Sequence, residues 1–316
     1  MQTYQFTLQP LSAFGTPLAG DTLFGQLCWA LRHQLGNDRL NTLLAGYTND
    51  QPFAVVSDAM PQGHVPLPTV PSDFWTTRPD TDRKVMKKKR WLPVAALTTP
   101  FTAWQEKAVG DAAVAKQTER AQPHNTINRD SGTTGIGQFA PYARPQIWFQ
   151  PGVQFDVHVV LNEARLSVAE FSAALDAMGS TGFGRDASIG LGKFNRMGEA
   201  TPANWPAQPD ANAYLTLGPS APQDQGFCAK RSFYQVLTRF GRHGDAAVQS
   251  PNPFKKPVLL ARAGSVLRPE QGSAAALFVG RGLGGVANPI SQTMPETVHQ
   301  GYAPVITIRL PEGATP

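Results

Sequence analysis

The residues best suited to chemistry lie in one short stretch, Gly182-Phe183-Gly184-Arg185-Asp186-Ala187-Ser188-Ile189-Gly190-Leu191-Gly192-Lys193. Its four glycines would let a main chain approach a phosphate closely, and Arg185 and Lys193 add positive charge beside it. It is not a nucleotide-binding P-loop, which needs glycine where Ala187 stands and Ser or Thr where Phe194 stands. A dinucleotide fingerprint can be laid over Gly182, Gly184 and Ala187, but here the loop leaves a helix and enters a strand, the reverse of the required order. Gly182-Phe183-Gly184 matches the centre of an RNA-recognition core, although Thr181 and Arg185 occupy places where that core has a basic residue and an aromatic. Two readings remain, contact with RNA or a tight helix-to-strand turn.

A second candidate set is His124, Asn125, Asn128 and Arg129, within HNTINRDSGTTGIGQF (124–139). A histidine there could move the proton of a ribose 2′-hydroxyl and an arginine could stabilise a pentavalent phosphate, as a ribonuclease requires. A lone histidine in a polar loop is more often only a hydrogen-bonding group. The other histidines, His33, His64, His158, His243 and His299, are scattered, and Asp58 has no second acid beside it to share a metal. No catalytic residue, metal site or cofactor is therefore expected. Trp29, Trp91, Trp148 and Phe183 offer rings for base stacking, worth about 1–3 kcal/mol per base. Trp29 falls among core positions of a helix, whereas Phe183, flanked by glycines, is expected to be the least covered.

Charge is concentrated. Residues 83–90, RKVMKKKR, hold six basic groups, and without them the formal charge of +5 falls to −1. A second basic region runs from Phe227 to Arg268, where eight Lys/Arg, among them Lys255 and Lys256, face Asp245 alone. Either region by itself reads as a solvated face; the two together point to a polyanionic partner.

The elements that must position these groups follow from periodicity. TYQFTL (3–8) alternates as a strand. Leu23, Phe24, Leu27, Cys28, Leu31 and Leu35 fall at helical spacing, with Asp21 or Thr22 as N-cap and Gly36 as the stop. FAVVSDA (53–59) reads as a strand, and the Pro-punctuated segment 61–79 as irregular. Residues 79–93 are expected to be helical, and 103–122 a helix or an insertion. The 124–139 stretch reads as a hairpin tip followed by strands at PQIWF and VQFDVHVVL. Ser167 and Glu170 form a capping box for a helix ending on Gly179, which runs into the glycine-rich loop and a short strand at 193–197. Strand, helix, strand, insertion, strand, helix, loop, strand is the order of a ferredoxin-like βαββαβ unit with a large excursion. Residues 199–212 read as a linker, and strands dominate the rest.

Length and composition fit this division. A chain of 316 residues exceeds the usual span of one core, so two domains are expected, 1–198 and 213–316. No apolar run approaches the ~20 residues of a membrane span, and the N-terminus lacks signal-peptide features, so a cytoplasmic protein is expected. Cys28 and Cys228 stand 200 positions apart in no zinc or redox motif.

With these residues in hand, the sequence resembles the RAMP superfamily of CRISPR effector proteins, and within it the type III-A (Csm) branch that holds the 5′ tag of the guide RNA. The blocks that carry the resemblance are GDTLFGQLCWAL (20–31), VVSDAMPQG (55–63), RKVMKKKRWLP (83–93), HNTINRDSGTTG (124–135), GFGRDASIGLGKF (182–194), FKKPVLLARAGSVL (254–267) and VHQGYAPV (298–305). The resemblance implies an α+β fold of two ferredoxin-like domains, the first with a large hairpin insertion. It assigns crRNA tag binding to Gly182, Phe183, Gly184, Arg185, Ser188, Gly190, Gly192 and Lys193, and guide contact to His124, Asn125, Asn128 and Arg129. Asp21 and Thr22, at the start of the first helix, and Lys255 and Lys256 are expected beside the same RNA. The implied partners are the crRNA, the large cyclase (palm-domain) subunit, a neighbouring backbone RAMP subunit and, indirectly, target RNA. Catalysis would belong to other subunits. A related branch contains metal-independent endoribonucleases that process precursor crRNA, which is the alternative function.

Overall fold

The computed structural model describes residues 1–76, 82–206 and 208–312. Residues 77–79 of the expected irregular segment, 79–81 of the expected basic helix, Ala207 of the expected linker and 313–316 lie outside the described residues.

The first half builds an antiparallel sheet. Strand β1 (Gln2–Pro10) alternates, burying Tyr4, Phe6 and Leu8. Helix α1 (Gly20–Leu35) buries Leu23, Phe24, Leu27 and Leu31 and stops at Gly36 (φ 85°), and α2 (Asn37–Leu44) follows. Strand β2 (Ala54–Val56) precedes an excursion made of β3 (Met60–Pro61), β4 (His64–Pro66), α3 (Arg83–Met86), β5 (Lys89–Pro93), α4 (Trp104–Lys107), β6 (Val109–Gly110) and α5 (Asp111–Val114). It ends in a two-stranded hairpin, β7 (Gln117–His124) and β8 (Tyr142–Phe149). Strand β9 (Phe155–Leu161), helix α6 (Val168–Thr181) and β10 (Phe194–Pro202) complete the unit. The path β10-β1-β9-β2, antiparallel throughout, places fourth, first, third and second strands side by side, the order expected of a βαββαβ unit. Phe6 meets Phe171 of α6 at 4.9 Å, one of many contacts joining sheet and helices.

The second half departs from the expected second ferredoxin-like domain. It contains β11 (Ala213–Thr216), β12 (Val236–Arg239), β13 (Val258–Ala261), β14 (Val266–Leu267), β15 (Phe278–Gly284) and β16 (Val298–Ile308), and no α-helix among the described residues 213–312. Its Gly and Pro punctuation leaves no apolar run long enough for helical spacing. The sheet β14-β11-β16-β15 is instead covered by the excursion of the first half. Phe74, Trp75, Leu92, Leu97, Phe101 and Trp104 pack against Leu215, Leu217, Val266, Ile306 and Ile308 in a single core cluster. In return, Tyr302 of β16 enters the first core and donates its hydroxyl to Tyr47 O at 2.8 Å. The chain divides near residue 200, but the cores interlock.

Several local expectations change. The basic run 83–90 is one helical turn, capped by Asp82, that breaks into β5, because Trp91 and Leu92 pair with β4. Residues 103–122 form short pieces, since Gly110 lies against β5: a Cβ there would sit 3.0 Å from Lys88 O. Helix α6 passes through Gly179 and ends at Gly182. Gly179 is required by packing, as a Cβ would lie 2.3 Å from Phe194 O. The capping box of Ser167 and Glu170 is present. Strand β10 continues to Pro202, inside the expected linker.

The halves are stitched by Gln300, which is fully buried: Val56 N–H donates to its Oε1 at 2.8 Å, and its Nε2 donates to Val56 O at 2.7 Å. Gln300→Ala should cost about 1–3 kcal/mol for each backbone group left unsatisfied. Urea denaturation should show one cooperative transition at lower denaturant, and two separate transitions in the parent protein would contradict the interlocked cores.

Candidate nucleic-acid interface

The glycine-rich loop leaves α6 and doubles back on itself. Phe183 N–H donates to Gly192 O at 2.9 Å, closing the loop's base, and Gly192 N–H donates to Ala13 O at 2.7 Å. The segment between β1 and α1 forms its other wall. Gly184 N–H donates to Gln26 Oε1, Arg185 N–H to Thr16 Oγ1 and Lys193 N–H to Ser12 Oγ, each at 2.9 Å. Gln26 Nε2 donates in turn to Gly182 O at 2.7 Å. Several loop amides expected to face a ligand are thus already bonded to protein. Gly192 (φ 75°) serves close packing, because a Cβ would lie 2.1 Å from Phe183 O. Gly190 (φ 97°) has nothing within 4 Å of a built Cβ and closes the arch Asp186–Gly190, where Ser188 and Ile189 are exposed. The open side of the loop is this arch, with exposed Arg185 and Lys193 at its two ends.

The hairpin is joined to the loop. Phe14 and Ile147 exchange backbone hydrogen bonds at 2.8 Å in both directions, which fixes β8 beside the β1–α1 segment. Asp186, in the left-handed region (φ 65°) and largely enclosed, accepts from Arg144 of β8 at 2.5 Å and has Arg185 Nε at 3.4 Å. Arg185 also donates to Pro145 O at 2.5 Å. Arg144 is therefore a site residue that the sequence reading missed; its only signal was a cation in a strand facing an acid 42 positions away. Further out on the hairpin, His124 stacks on Tyr142 with ring centroids 5.4 Å apart, and Arg144 lies 5.2 Å over the same ring. Asn128 shapes the tip, its Oδ1 accepting from Asp130 N–H, while Asn125 and Arg129 are exposed. These four residues sit on the hairpin's outer end, apart from the loop.

Three expectations are corrected by burial. Phe183 is fully buried in the first core, so its ring offers no face to a base. Of the four rings considered for stacking, the exposed one is Trp148 on β8, 41% accessible and with Arg120 5.7 Å over its ring. Asp21 is not the N-cap, and it is buried. The cap position is Ala19, and the Asp21 side chain is enclosed, bonded to Arg239 of β12 at 2.6 and 3.0 Å with His299 of β16 at 3.3 Å. Burial opposes its charge, but the His299 hydrogen bond and the charges of His299 and Arg239 hold its carboxyl below the ordinary range. Thr22 is half-buried. Lys255 is also half-buried, its ammonium disfavoured by burial, while Lys256 is exposed. Among the described residues, no group of three or more His, Cys, Asp or Glu could hold a metal ion, and no helix is long and apolar enough to cross a membrane.

The chain has a RAMP-type α+β fold. In particular, it is similar in fold to solved type III-A CRISPR structures of two kinds of assembly, whose common component is Csm4. One such structure is a Csm1-Csm4 cassette in complex with pppApA (TM-score 0.61, 14% identity, 98% of this chain and 100% of that chain covered). Another is a Csm3-Csm4 subcomplex of the type III-A CRISPR-Cas interference complex (TM-score 0.61, 12% identity, 97% and 99% covered). The cassette with AMPPNP gives TM-score 0.60 at 15% identity, with 98% and 100% covered. By sequence, no protein-family model and no curated protein matches.

The loop geometry separates its glycines. Gly190→Ala should cost only the left-handed backbone penalty, about 1–2 kcal/mol, and leave a folded protein. Gly192→Ala must displace the Phe183 carbonyl and should lower the melting temperature far more. Equal losses in a thermal melt would show that the close approach at Gly192 is unimportant.

Asp58 supplies the acceptor for the first amide of α1, taking Gly20 N–H at 2.7 Å. Burial, reinforced by the charge of Asp21, pushes its carboxyl up to about 7 against that hydrogen bond and the nearby Arg239 and Arg262. Its folded pKa thus exceeds its unfolded value near ~4, so its contribution to stability is complete below about pH 4 and is lost as pH rises through about 7. Asp58→Asn keeps an oxygen for Gly20 N–H and should gain on the parent as pH is raised from 5 to 8. Parallel urea midpoints across that range would refute the assignment.

Proposed function

We propose that this protein is the RAMP-type crRNA-binding subunit of a type III-A CRISPR effector, holding the guide's 5′ tag at the arch Asp186–Gly190 and the neighbouring Arg185, Ser188 and Lys193. The observation that carries this reading is the agreement of fold over nearly the whole chain with Csm4 in two different assemblies. The loop supports it in a specific way. Its glycines and Gln26 hold the arch rigidly, so its side chains meet a backbone already in place, and Arg185, Arg144 and Lys193 supply the charge that phosphates require. The hairpin, with Asn125, Asn128 and Arg129 at its outer end and Trp148 exposed, then reaches onto the guide beyond the tag. The partners of this reading are the large subunit Csm1 and the backbone subunit Csm3. Exposed Tyr234, Val236, Phe240 and Leu259 on and beside β12 and β13 give the second half an apolar face suited to such docking. This reading assigns binding rather than catalysis to the hairpin, where His124 stacks on Tyr142.

Labelled repeat RNA incubated with the pure protein should be bound and left intact. Each of Arg185→Ala and Lys193→Ala should weaken binding and reduce the slope of log K against log salt by about 0.7, with no change in melting temperature for Lys193→Ala. Metal-independent cutting that disappears in His124→Ala would overturn the assignment in favour of an endoribonuclease.

A further inference from the structure

The basic run 83–90 takes no part in the site described above, and the structure divides its six cations into two groups. Two are internal ties. Lys89 Nζ donates to Gln105 O and Glu106 O at the end of α4, and Arg90 pairs with Asp111 at 3.1 Å. Asp111 also accepts from Trp91 Nε1 at 2.6 Å, so strand β5 is pinned at three consecutive residues. The other four, Arg83, Lys84, Lys87 and Lys88, are exposed and make no ion pair with any described residue. Asp82, the acid next to them among the described residues, is engaged as the helix cap through Lys84 N–H.

Their position gives this charge a direction. Strand β5 pairs with β6, β6 leads into α5, and the Asp111 that pins β5 is the first residue of α5, six positions before β7 begins. The run therefore stands at the root of the hairpin on the β7 side, whereas the glycine-rich loop is fastened to β8 through Asp186 and Phe14. Four unpaired cations on a pinned platform are the arrangement that binds a flexible polyanion through its phosphates, because holding the strand releases condensed counterions and the platform needs no ordering of its own.

We infer that Arg83, Lys84, Lys87 and Lys88 form a second RNA-backbone site at the root of the hairpin, one that holds a single strand other than the tag bound at the glycine-rich loop. The inference rests on the proposed function for the identity of the polyanion. The second site is thus linked to the β7 end of the hairpin and the first to β8. Lysine and arginine contacts to phosphate carry no base information, so the second site recognises the strand without regard to sequence.

The test uses the full chain and a fluorescein-labelled 15-nucleotide uridine strand that lacks any tag sequence. Lys84→Gln, Lys87→Gln and Lys88→Gln combined should weaken binding of this probe and lower its salt slope by about 2, since each phosphate contact contributes about 0.7. The same variant should bind tag-bearing RNA at the loop with its affinity changed by less than threefold. A control in which three cations outside both basic regions, Arg32, Arg281 and Arg309, are changed to Gln should retain the parent slope. An unchanged probe slope in the first variant, or an equal loss in the control, would overturn the second site. Failure of tag recognition in the parent protein would instead count against the proposed function, and it is read with a different RNA.

Discussion

Asp21 lies in the first turn of α1 with no exposed side-chain surface, and an unpaired carboxylate there would cost several kcal/mol. The guanidinium that satisfies it comes from Arg239 and the imidazole from His299, both in the second half of the chain. The orientation of α1 is thereby tied to the packing of the second half, and α1 in turn carries Gln26, which grips the glycine-rich loop from both sides. Removing one partner of such a pair typically costs about 3–5 kcal/mol, because a buried charge is left behind. The loop's geometry is thus set by an ion pair far along the chain from the loop itself.

The same dependence runs through the sheets. The second sheet has no helices of its own among the described residues and is covered by the excursion of the first unit, while the first core takes Tyr302 from the second. Neither half buries its apolar surface alone. Asp186 adds a third tie, binding hairpin to loop through Arg144 and Arg185. The candidate interface therefore behaves as one block: the loop, strand β8 of the hairpin and the start of α1 share partners.

The first unit was legible in the sequence because its signals are local. Alternation in β1, 3.6-residue spacing in α1 and α6, and the Ser167–Glu170 capping box are each decided within a few residues. Gly179 was misread as a stop since the reason for it, contact with Phe194, is tertiary. Phe183 was expected to be open because its neighbours are glycines, yet those glycines let the chain fold tightly enough to bury the ring. Asp21 looked like a cap because caps are acidic and precede apolar helices, and nothing local shows that Asp58 accepts from the first amide instead. In the second half, strands were recognisable by composition, but the absence of helices over them could not be seen until the excursion supplied their cover.

The register of β1 also sets a timetable. Its central partner is β9, with Gln2 opposite Leu161 and Leu8 opposite Phe155, and its outer partner β10 comes later still. At ordinary synthesis rates of about 5–20 residues per second, roughly 8–30 seconds separate the appearance of β1 from that of β9. During that interval Tyr4, Phe6 and Leu8 form an unpaired apolar edge on the nascent chain, with only α1, α2 and the incomplete excursion to shield it. Loops that long also close slowly after dilution from denaturant. The topology that interlocks the two halves in the finished protein makes its youngest state the one most in need of a chaperone.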